Sequence, residues 1–314
     1  MTGEHAPLLI AIVGPTAVGK TGLAIELALR IGGEVVSADS RQIYKGMNIG
    51  TAKPTVAELA RVRHHLIDIR QPDEWMTLAK YQALANESIT DIHERSKIPL
   101  LVGGTGQYVN AVVQGWKIPH VPPNDEIRRK LESRAEATGH LALHAELARV
   151  DANAAASIDS RNVRRVIRAL EVYYVTGSPI SALQGRQSPP FDVLLIGLTR
   201  PRGKLYELID QRIDNMVRFG LAEEVRNLVD AGYDWSTPAM SSLGYRQLRD
   251  HITGDTTLED CVSRIKHDTR VFVRMQYNWF KLTDKSIHWI DLNEYSMVQA
   301  VGEIQQEMSN RQQN

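Results

Sequence analysis

Short apolar runs alternate along the chain with segments in which apolar residues recur every three or four positions. The first run, Leu8–Val13, ends at Gly14-Pro15, which is typical of a buried strand. Thr21–Ile31 follows with helical spacing and ends before Gly32-Gly33. Further strands are predicted at Val35–Ser37, Leu66–Ile69, Pro99–Val102, Val193–Leu198 and Ile287–Ile290. Because helices such as Leu78–Glu94 lie between most of these strands, the pattern favours a parallel α/β sheet covered on both faces.

The alternation of strands and helices lapses between Lys117 and Gln187. Three prolines open this stretch and Ser188-Pro189-Pro190 closes it, and the periodicity between them is helical, with no strand candidate. We therefore predict a helical insertion domain at residues 117–190, within an α/β core formed by residues 1–116 and 191–314. After the insertion, long helices are predicted over Lys204–Ala231 and Thr257–Leu282.

Length and composition agree with a globular protein of this kind. The chain has 314 residues, of which 43% are hydrophobic and 24% charged. At about 150 residues per domain, two domains are expected. Its single cysteine, Cys261, excludes an intrachain disulfide and a cysteine-rich zinc site, so we interpret Cys261 as a small core residue.

No apolar run approaches the roughly 18 residues that a membrane span requires. Leu8–Val13 is also too short for the core of a signal peptide, and an acidic residue precedes it. A cytoplasmic location is therefore expected. Lysine and arginine total 37, as do aspartate and glutamate, so the net charge does not suggest a nucleic-acid partner. Such a partner would need a local cluster of basic residues.

A phosphate-binding motif lies between the first predicted strand and the first predicted helix. It matches G-x-x-x-x-G-K-[ST] with the residues Gly14, Pro15, Thr16, Ala17, Val18, Gly19, Lys20 and Thr21. In such a loop, backbone N–H groups and the helix N-terminus face phosphate oxygens. Lys20 can neutralise a phosphate, and the Thr21 hydroxyl can ligate Mg²⁺. This strand–loop–helix context favours a phosphate site over a chance glycine turn.

The residues near the motif do not favour nucleotide hydrolysis. Enzymes that hydrolyse nucleotides hold Mg²⁺ with an acidic residue at the end of a second strand, whereas Pro99–Val102 runs into Gly103-Gly104-Thr105-Gly106. Asp68 is either a substitute for that residue or a strand-end cap. Asp39 follows the second predicted strand, at the sheet edge where α/β proteins bind ligands. It could be a general base, a metal ligand or a cap for the turn.

Together these segments resemble the tRNA dimethylallyltransferase family. The similarity spans nearly the whole chain in order, and the phosphate loop alone would be far less specific than the combination. The matching segments are Gly14–Thr21, Asp39–Tyr44, Asn48–Pro54, Gly103–Gly106, Arg168–Val172, Gln211-Arg212, Gly220–Val225, Leu243–Arg246, Thr269-Arg270 and Trp279-Phe280. The resemblance implies a P-loop NTPase-like fold and no ATP hydrolysis. It also implies transfer of a five-carbon group from dimethylallyl diphosphate, with Mg²⁺, to the exocyclic amine of the adenosine that follows the anticodon.

The resemblance also assigns roles to residues of the site. The loop residues Gly14 to Thr21 would hold the pyrophosphate, with Thr21 as the metal ligand, and Arg212 would bind the same group. Asp39 would accept the proton of the adenine amine, which is a poor nucleophile without a base. Thr105 would lie near the bond being broken, although its hydroxyl could equally stabilise a glycine-rich turn. Without the resemblance, Arg212 would be interpreted as a surface arginine.

A basic stripe supports the expected RNA partner. Arg161, Arg164, Arg165 and Arg168 have the spacing of one helix face, unless they form a solvated face paired with nearby carboxylates. Lys266, Arg270 and Arg274 form a second stripe, followed by aromatic residues that we interpret as core. The residues predicted to contact tRNA are Asp39, Ser40, Arg41, Gln42, Thr105, Arg128, Arg164, Arg165, Val166, Ile167, Arg168, Ser241, Ser242, Leu243, Gly244, Tyr245 and Arg246.

Few positions depart from the family pattern. Gln107 stands where leucine is usual, and Met275 replaces a common arginine, which leaves a phosphate contact there in doubt. With one cysteine, the chain matches the bacterial branch, which lacks a zinc finger, and a monomer is expected. Three alternatives stay open at this level: a small-molecule kinase, a prenyl transferase acting on free adenine nucleotides, and a non-catalytic RNA-binding module.

Overall fold

The structure is a computed structural model that describes residues 6–312. Its strands are β1 (Leu8–Val13), β2 (Glu34–Ser37), β3 (His64–His65), β4 (Pro99–Gly103), β5 (Trp116–Lys117), β6 (Gly185–Arg186), β7 (Asp192–Thr199) and β8 (His288–Asp291). Its helices are α1 (Lys20–Ile31), α2 (Val56–Arg61), α3 (Leu78–Glu94), α4 (Gly106–Val113), α5 (Asp125–Thr138), α6 (His140–Val150), α7 (Ala152–Ser157), α8 (Val163–Thr176), α9 (Ile180–Leu183), α10 (Arg202–Arg218), α11 (Leu221–Asp230), α12 (Tyr245–Ile252), α13 (Leu258–Trp279) and α14 (Met297–Gln312).

The described residues form two compact units. One contains the residues up to Val113 and those from Pro189 onwards, and the other is Gln114–Ser188. Sequence patterning places the insertion at residues 117–190. Residues 1–5 and 313–314, which the predicted core domain includes, lie outside the described residues. No helix of residues 6–312 is long and apolar enough to cross a membrane.

The first unit is built on a six-stranded sheet with the order β3-β2-β4-β1-β7-β8. Every pairing in this sheet is parallel. The strand β1 lies inside the sheet, and its side chains alternate between two cores. Ile10 and Ile12 pack into one core, whereas Leu9 and Val13 pack into the other. Because side chains alternate along a strand, a strand that is apolar throughout must be covered on both faces. The predicted parallel α/β sheet is confirmed.

The second unit is largely helical. Helices α5 to α9 surround a small core of apolar residues that includes Leu131, Leu147, Val166 and Leu170. The helix α8 begins after Asn162, whose side chain accepts the N–H of Arg165. The unit also contains a short antiparallel pair, β5 with β6, close to its two ends. The expectation of no strand in this stretch was therefore wrong at residues 185–186.

Two other predicted elements differ from the structure. Residues 66–69 do not form a strand, because Leu66 and Asp68 have φ values of 62° and 55°, which belong to the left-handed region. The strand in this region, β3, begins two residues earlier, at His64–His65. The long helix predicted over residues 204–231 is divided into α10 and α11, since Gly220, with φ of 95°, starts a new helix. Cys261 is buried and unpaired, as expected.

Candidate active site

The phosphate motif forms a strained loop between β1 and α1. Gly14 has φ of 142°, and a Cβ there would lie 2.5 Å from the carbonyl oxygen of Leu198. Ala17 has φ of 63°, a conformation that costs a non-glycine residue about 1 kcal/mol or more. Gly19, with φ of 116°, precedes the first turn of α1. The loop therefore has the glycine-dependent shape that a phosphate cradle requires, and its surroundings must hold Ala17 in place.

Lys20 lies at the end of this loop with its ammonium group turned onto the loop itself. Its Nζ donates to the carbonyl oxygens of Gly14, at 3.0 Å, and Pro15, at 2.7 Å. Burial lowers the pKa of Lys20 from 10.5 to about 8, an effect that the nearby Asp39 carboxylate opposes and Arg212 reinforces. An anion beside Nζ would favour the charged ammonium, so this position suits a phosphate group.

Two adjoining cavities meet beside the loop. The first, of about 290 Å³, extends under the loop to Thr21 and His64. The second, of about 340 Å³, extends towards Thr105 and α13. Both cavities are lined by Thr16, Ala17, Lys20, Asp39, Thr51 and Arg212. A phosphate in one cavity and a second reactant in the other would therefore meet where a carboxylate and two cations are already gathered.

Asp39 follows β2 at the carboxyl edge of the sheet. Its Oδ1 accepts the backbone N–H groups of Arg41, at 2.8 Å, and Gln42, at 3.4 Å. Its Oδ2 has no hydrogen-bond partner among residues 6–312. The carboxylate therefore caps the turn with one oxygen, and the other oxygen is available to a ligand. The predicted roles of turn cap and general base are thus compatible in one side chain.

Thr105 and Arg212 reach the same region from different elements. The Thr105 hydroxyl accepts the backbone N–H of Ser40 at 3.1 Å, next to Asp39. Arg212, on α10, has Nη1 3.4 Å from Oγ1 of Thr16 in the phosphate loop. Burial lowers the pKa of Arg212 and Asp39 opposes this effect, but a guanidinium stays charged at neutral pH. The three predicted catalytic residues are thus brought together.

Two residues next to Asp39 stabilise the surrounding loops. Nη1 of Arg41 donates to the carbonyl oxygen of Pro238 at 2.9 Å and lies 3.4 Å from the Ser241 hydroxyl. Nε2 of Gln42 donates to the carbonyl oxygens of Thr51 and Ala52. Both side chains line a cavity, so they could contact a ligand while they hold these loops in place.

The segment predicted to contact tRNA between residues 241 and 246 is only partly accessible. Ser241 and Arg246 are exposed and Leu243 is half-buried, whereas Ser242, Gly244 and Tyr245 are buried. The Tyr245 hydroxyl donates to Oε1 of Glu224 at 2.6 Å. Ser242 and Gly244 nevertheless line the second cavity, so the contact of this segment with tRNA stays a prediction, although Tyr245 is enclosed against Glu224.

Glu224, on α11, holds the segment that contains Asn48–Gly50. Its carboxylate accepts the backbone N–H groups of Asn48, Ile49 and Gly50 at 2.7, 2.8 and 3.0 Å, in addition to the Tyr245 hydroxyl. A carboxylate that accepts several N–H groups is a strong local anchor. The loop that follows Gly50 provides Thr51 to both cavities, so Glu224 supports the site without lining it.

The basic stripe of the second unit is less free than its spacing suggested. Arg161 precedes α8 and pairs with Asp159. Arg168 and Arg128 both pair with Glu171, whose side chain is fully buried. Arg164 and Arg165 are exposed, and neither guanidinium has a partner among the described residues. Of the four arginines, Arg161 precedes the helix and is paired, Arg168 is paired, and only Arg164 and Arg165 have guanidinium groups without a partner among residues 6–312; the RNA contact of this stripe stays a prediction.

Val166 and Ile167 belong to the core of the second unit. Their exposed fractions are 0% and 5%. They were predicted to contact tRNA together with the flanking arginines, but their side chains pack inwards on the apolar face of α8. The structure thus gives these two side chains a packing role, and their contact with RNA stays a prediction.

The second predicted stripe, on α13, is also largely neutralised. Lys266 pairs with Asp214 and Arg270 with Asp210, while Arg274 is exposed. Asp68, considered as a metal ligand, lies 2.5 Å from Nζ of the buried Lys53. Asp214, Asp210 and Asp68 thus each pair with a lysine or arginine of the first unit. For this reason, the α13 stripe does not form an exposed basic cluster, and Asp68 is not a free carboxylate.

One buried residue of the site had no signal in the sequence. Gln276, on α13, accepts the backbone N–H of Thr16 through Oε1 at 2.9 Å and donates from Nε2 to the carbonyl oxygen of Gly104 at 3.1 Å. It therefore joins the phosphate loop to the glycine-rich turn. A glutamine within a mostly polar helix carries no motif, so only the fold reveals this contact.

A family model described as IPP transferase matches residues 42–283 of this chain. A tRNA dimethylallyltransferase from Chloroflexus aggregans is 58% identical over 273 residues, which cover 87% of this chain and 92% of that protein. The corresponding protein of Herpetosiphon aurantiacus is 52% identical, with 90% of this chain and 89% of that protein covered. The chain belongs to the IPP transferase family.

Solved structures of this family share the fold. The tRNA isopentenylpyrophosphate transferase of Bacillus halodurans is 40% identical, with a TM-score of 0.72 and coverage of 97% of this chain and 96% of that chain. A eukaryotic dimethylallyltransferase described as acting on tRNA is 27% identical, with a TM-score of 0.81 and coverage of 97% and 80%. The predicted resemblance and the P-loop NTPase-like fold class are confirmed.

Within the IPP transferase fold, this chain offers few protein ligands for a metal. Among residues 6–312, no group of three or more histidine, cysteine, aspartate or glutamate side chains could hold an ion. Thr21, the predicted metal ligand, lines the first cavity. Mg²⁺ commonly takes one or two protein ligands and completes its shell with water and substrate phosphates, so this sparse donor set fits Mg²⁺ bound with a diphosphate.

Proposed function

We propose that this protein transfers a dimethylallyl group from dimethylallyl diphosphate to the exocyclic N6 amine of the adenosine 3′ to the anticodon of tRNA, with release of diphosphate. The observation that carries the proposal is the shared lining of the two cavities by Lys20, Asp39 and Arg212. Cations for a leaving diphosphate and a carboxylate for an amine proton meet at this junction. Membership of the IPP transferase family supports this donor and acceptor.

The first requirement of the reaction is to stabilise the leaving diphosphate. As the bond between the allylic carbon and the diphosphate oxygen breaks, negative charge accumulates on the diphosphate. The loop N–H groups, the Lys20 ammonium and the Arg212 guanidinium are positioned before the reaction, so their reorganisation costs little. Arg212 lies against Thr16 of the loop itself, which places its charge on the diphosphate side of the junction.

The second requirement is to activate the amine. The N6 lone pair is delocalised into the adenine ring, so removal of a proton by a positioned base can contribute about 10²–10⁴-fold. The free oxygen of Asp39 accepts that proton as nitrogen forms its bond to the allylic carbon. Thr105, whose hydroxyl accepts the Ser40 N–H beside Asp39, lines the second cavity, where we propose that the acceptor binds.

Mg²⁺ is proposed as the cofactor. The Thr21 hydroxyl would hold it together with diphosphate oxygens and water. When bound, Mg²⁺ would supply further positive charge for the leaving diphosphate. Thr21 lies next to Lys20 at the start of α1, where the helix dipole also favours an anion.

The tRNA contacts are proposed separately for each unit. In the first unit, Ser241 and Arg246 are exposed and line the second cavity. In the second unit, Arg164 and Arg165, whose guanidinium groups lack partners among the described residues, form the basic pair suited to RNA phosphates. We also propose a cytoplasmic monomer, to be checked by cell fractionation and by light scattering of the purified protein.

One assay tests the reaction directly. Purified protein with Mg²⁺ and radiolabelled dimethylallyl diphosphate is offered unmodified tRNA or AMP, with product analysis after nuclease digestion. We expect label in the adenosine 3′ to the anticodon. Label in neither acceptor would overturn the proposal, and label in AMP alone would instead indicate an enzyme of free nucleotides. Replacement of dimethylallyl diphosphate by labelled ATP tests for a kinase, for which no transfer is expected.

A further inference from the structure

Gln276 joins two loops that the sequence places far apart. Its side chain is 5% exposed, its Oε1 accepts the N–H of Thr16 at 2.9 Å, and its Nε2 donates to the Gly104 carbonyl at 3.1 Å. The orientation of the amide is not arbitrary, because a backbone N–H can only donate and a backbone carbonyl can only accept. Both ends of one amide are thus used to connect the phosphate loop to the glycine-rich turn.

The contact with Thr16 lies next to the strained residue of the phosphate loop. Ala17 has φ of 63°, and such a conformation persists only where neighbouring bonds hold it. Lys20 now holds the loop through the Gly14 and Pro15 carbonyls. An ammonium that turns towards a bound diphosphate gives up those bonds. The Gln276 bond uses a different group, so it can hold the loop while the diphosphate is bound.

The contact with Gly104 extends the connection to the amine side of the site. A Cβ on Gly104 would lie 2.3 Å from Nε2 of Gln276, so this close approach requires glycine. The next residue, Thr105, accepts the Ser40 N–H beside Asp39. A continuous series of contacts therefore runs from the phosphate loop through Gln276 to the segment that carries the proposed base.

We propose that Gln276 is a positioning residue that keeps the phosphate loop and the Gly103–Gly106 turn at the separation that transfer requires. The inference rests on the proposed function. Gln276 need not touch the reacting atoms; it fixes the diphosphate on one side and Asp39 and Thr105 on the other. A displacement of about 1 Å between reacting groups can cost on the order of 10²-fold in rate.

The test compares Gln276→Leu with Gln276→Glu over a range of pH. Leucine has a similar size but neither bond, so we expect kcat to fall on the order of 10²-fold, and by more than KM for dimethylallyl diphosphate rises. In Gln276→Glu, the ionised carboxylate accepts from Thr16 but cannot donate to Gly104, whereas the protonated acid can do both. Burial raises the pKa of such a carboxyl group above its ordinary value. The kcat of Gln276→Glu relative to wild type should therefore rise as pH falls.

Controls separate positioning from general damage. The kcat of Gln276→Leu relative to wild type should stay constant with pH, as should that of Gln299→Glu, which changes an exposed glutamine that caps α14. Circular dichroism verifies that each variant is folded. Wild-type kcat in Gln276→Leu would overturn the proposal, as would a pH-independent ratio in folded Gln276→Glu.

A binding measurement distinguishes failure of this inference from failure of the proposed function. Calorimetric titration with dimethylallyl diphosphate requires no turnover and is repeated for the same variants. If wild type transfers nothing, the proposed function fails. The connection of the loops is then supported only if the diphosphate affinity of Gln276→Glu relative to wild type rises as pH falls and that of Gln276→Leu relative to wild type does not. If wild type is active and neither readout shows that difference, the role of Gln276 is refuted.

Discussion

Dimethylallyl diphosphate should bind this protein more weakly as the pH rises through 8. Burial lowers the pKa of Lys20 from 10.5 to about 8 in the ligand-free protein. A diphosphate beside Nζ stabilises the ammonium and raises its pKa in the complex. Above pH 8 the complex therefore retains a proton that the free protein has lost. By linkage, the affinity for dimethylallyl diphosphate must fall as the pH rises through 8, and it must be at its highest well below pH 8.

The size of the effect follows from the degree of protonation. With a pKa of about 8, roughly nine-tenths of the Lys20 groups are charged at pH 7 and roughly one-tenth at pH 9. The affinity should fall about tenfold between these values, which corresponds to about 1.4 kcal/mol. Arg212 stays charged throughout, and the second ionisation of a phosphate, with a pKa of about 6, is roughly nine-tenths complete at pH 7, so neither group contributes a comparable change.

Isothermal titration calorimetry at pH 7, 8 and 9, in buffers of different ionisation heat, measures both the affinity and the protons taken up on binding. We expect proton uptake to increase with pH in wild type. Lys20→Met should bind more weakly at pH 7 and show little pH dependence. A wild-type affinity that stays constant from pH 7 to 9, or an equal decline in Lys20→Met, would refute the role assigned to the Lys20 ammonium.

Three further outcomes are expected. Asp39→Ala should lower the rate of transfer by about 10²–10⁴-fold while leaving diphosphate affinity nearly unchanged, as single-turnover assays and calorimetry can show. Glu224→Gln should lower the free energy of unfolding by about 1–3 kcal/mol in urea, because an amide NH₂ would face donors that now meet a carboxylate oxygen. Replacement of Arg164 and Arg165 by alanine should reduce the slope of log affinity for tRNA against log salt by about 1–2.

Each of these predictions has a matched control. Near-normal single-turnover transfer by Asp39→Ala would remove that residue from the mechanism. Glu223→Gln changes an exposed carboxylate paired with Arg226 on the same helix, and it should leave unfolding almost unchanged. If it were as destabilising as Glu224→Gln, the N–H contacts of Glu224 would not be the cause. Lys130→Ala, in an exposed pair with Glu126, is the control for tRNA binding and should keep the wild-type salt slope.

Some parts of the site were predictable because they are local in sequence. The phosphate loop, β1 and α1 occupy consecutive residues, and the glycines that the loop requires are read directly from the motif. Asp39 and the Gly103–Gly106 turn follow strands whose carboxyl ends share one edge of a parallel sheet. The predicted strand at residues 66–69 failed because its left-handed backbone is not visible in an apolar pattern.

By itself, the sequence determined the layered α/β fold, the phosphate loop and the family resemblance, since each depends on residue types at short spacing. Only the tertiary structure decided which side chains remain available. It encloses Tyr245 against Glu224. It also pairs Arg128 and Arg168 with Glu171. The guanidinium groups of Arg164 and Arg165, by contrast, have no partner in residues 6–312. The tertiary structure also brings Gln276 to Thr16, 260 residues earlier in the chain. Burial and hydrogen-bond pairing depend on the packing of distant segments, which periodicity along the chain does not specify.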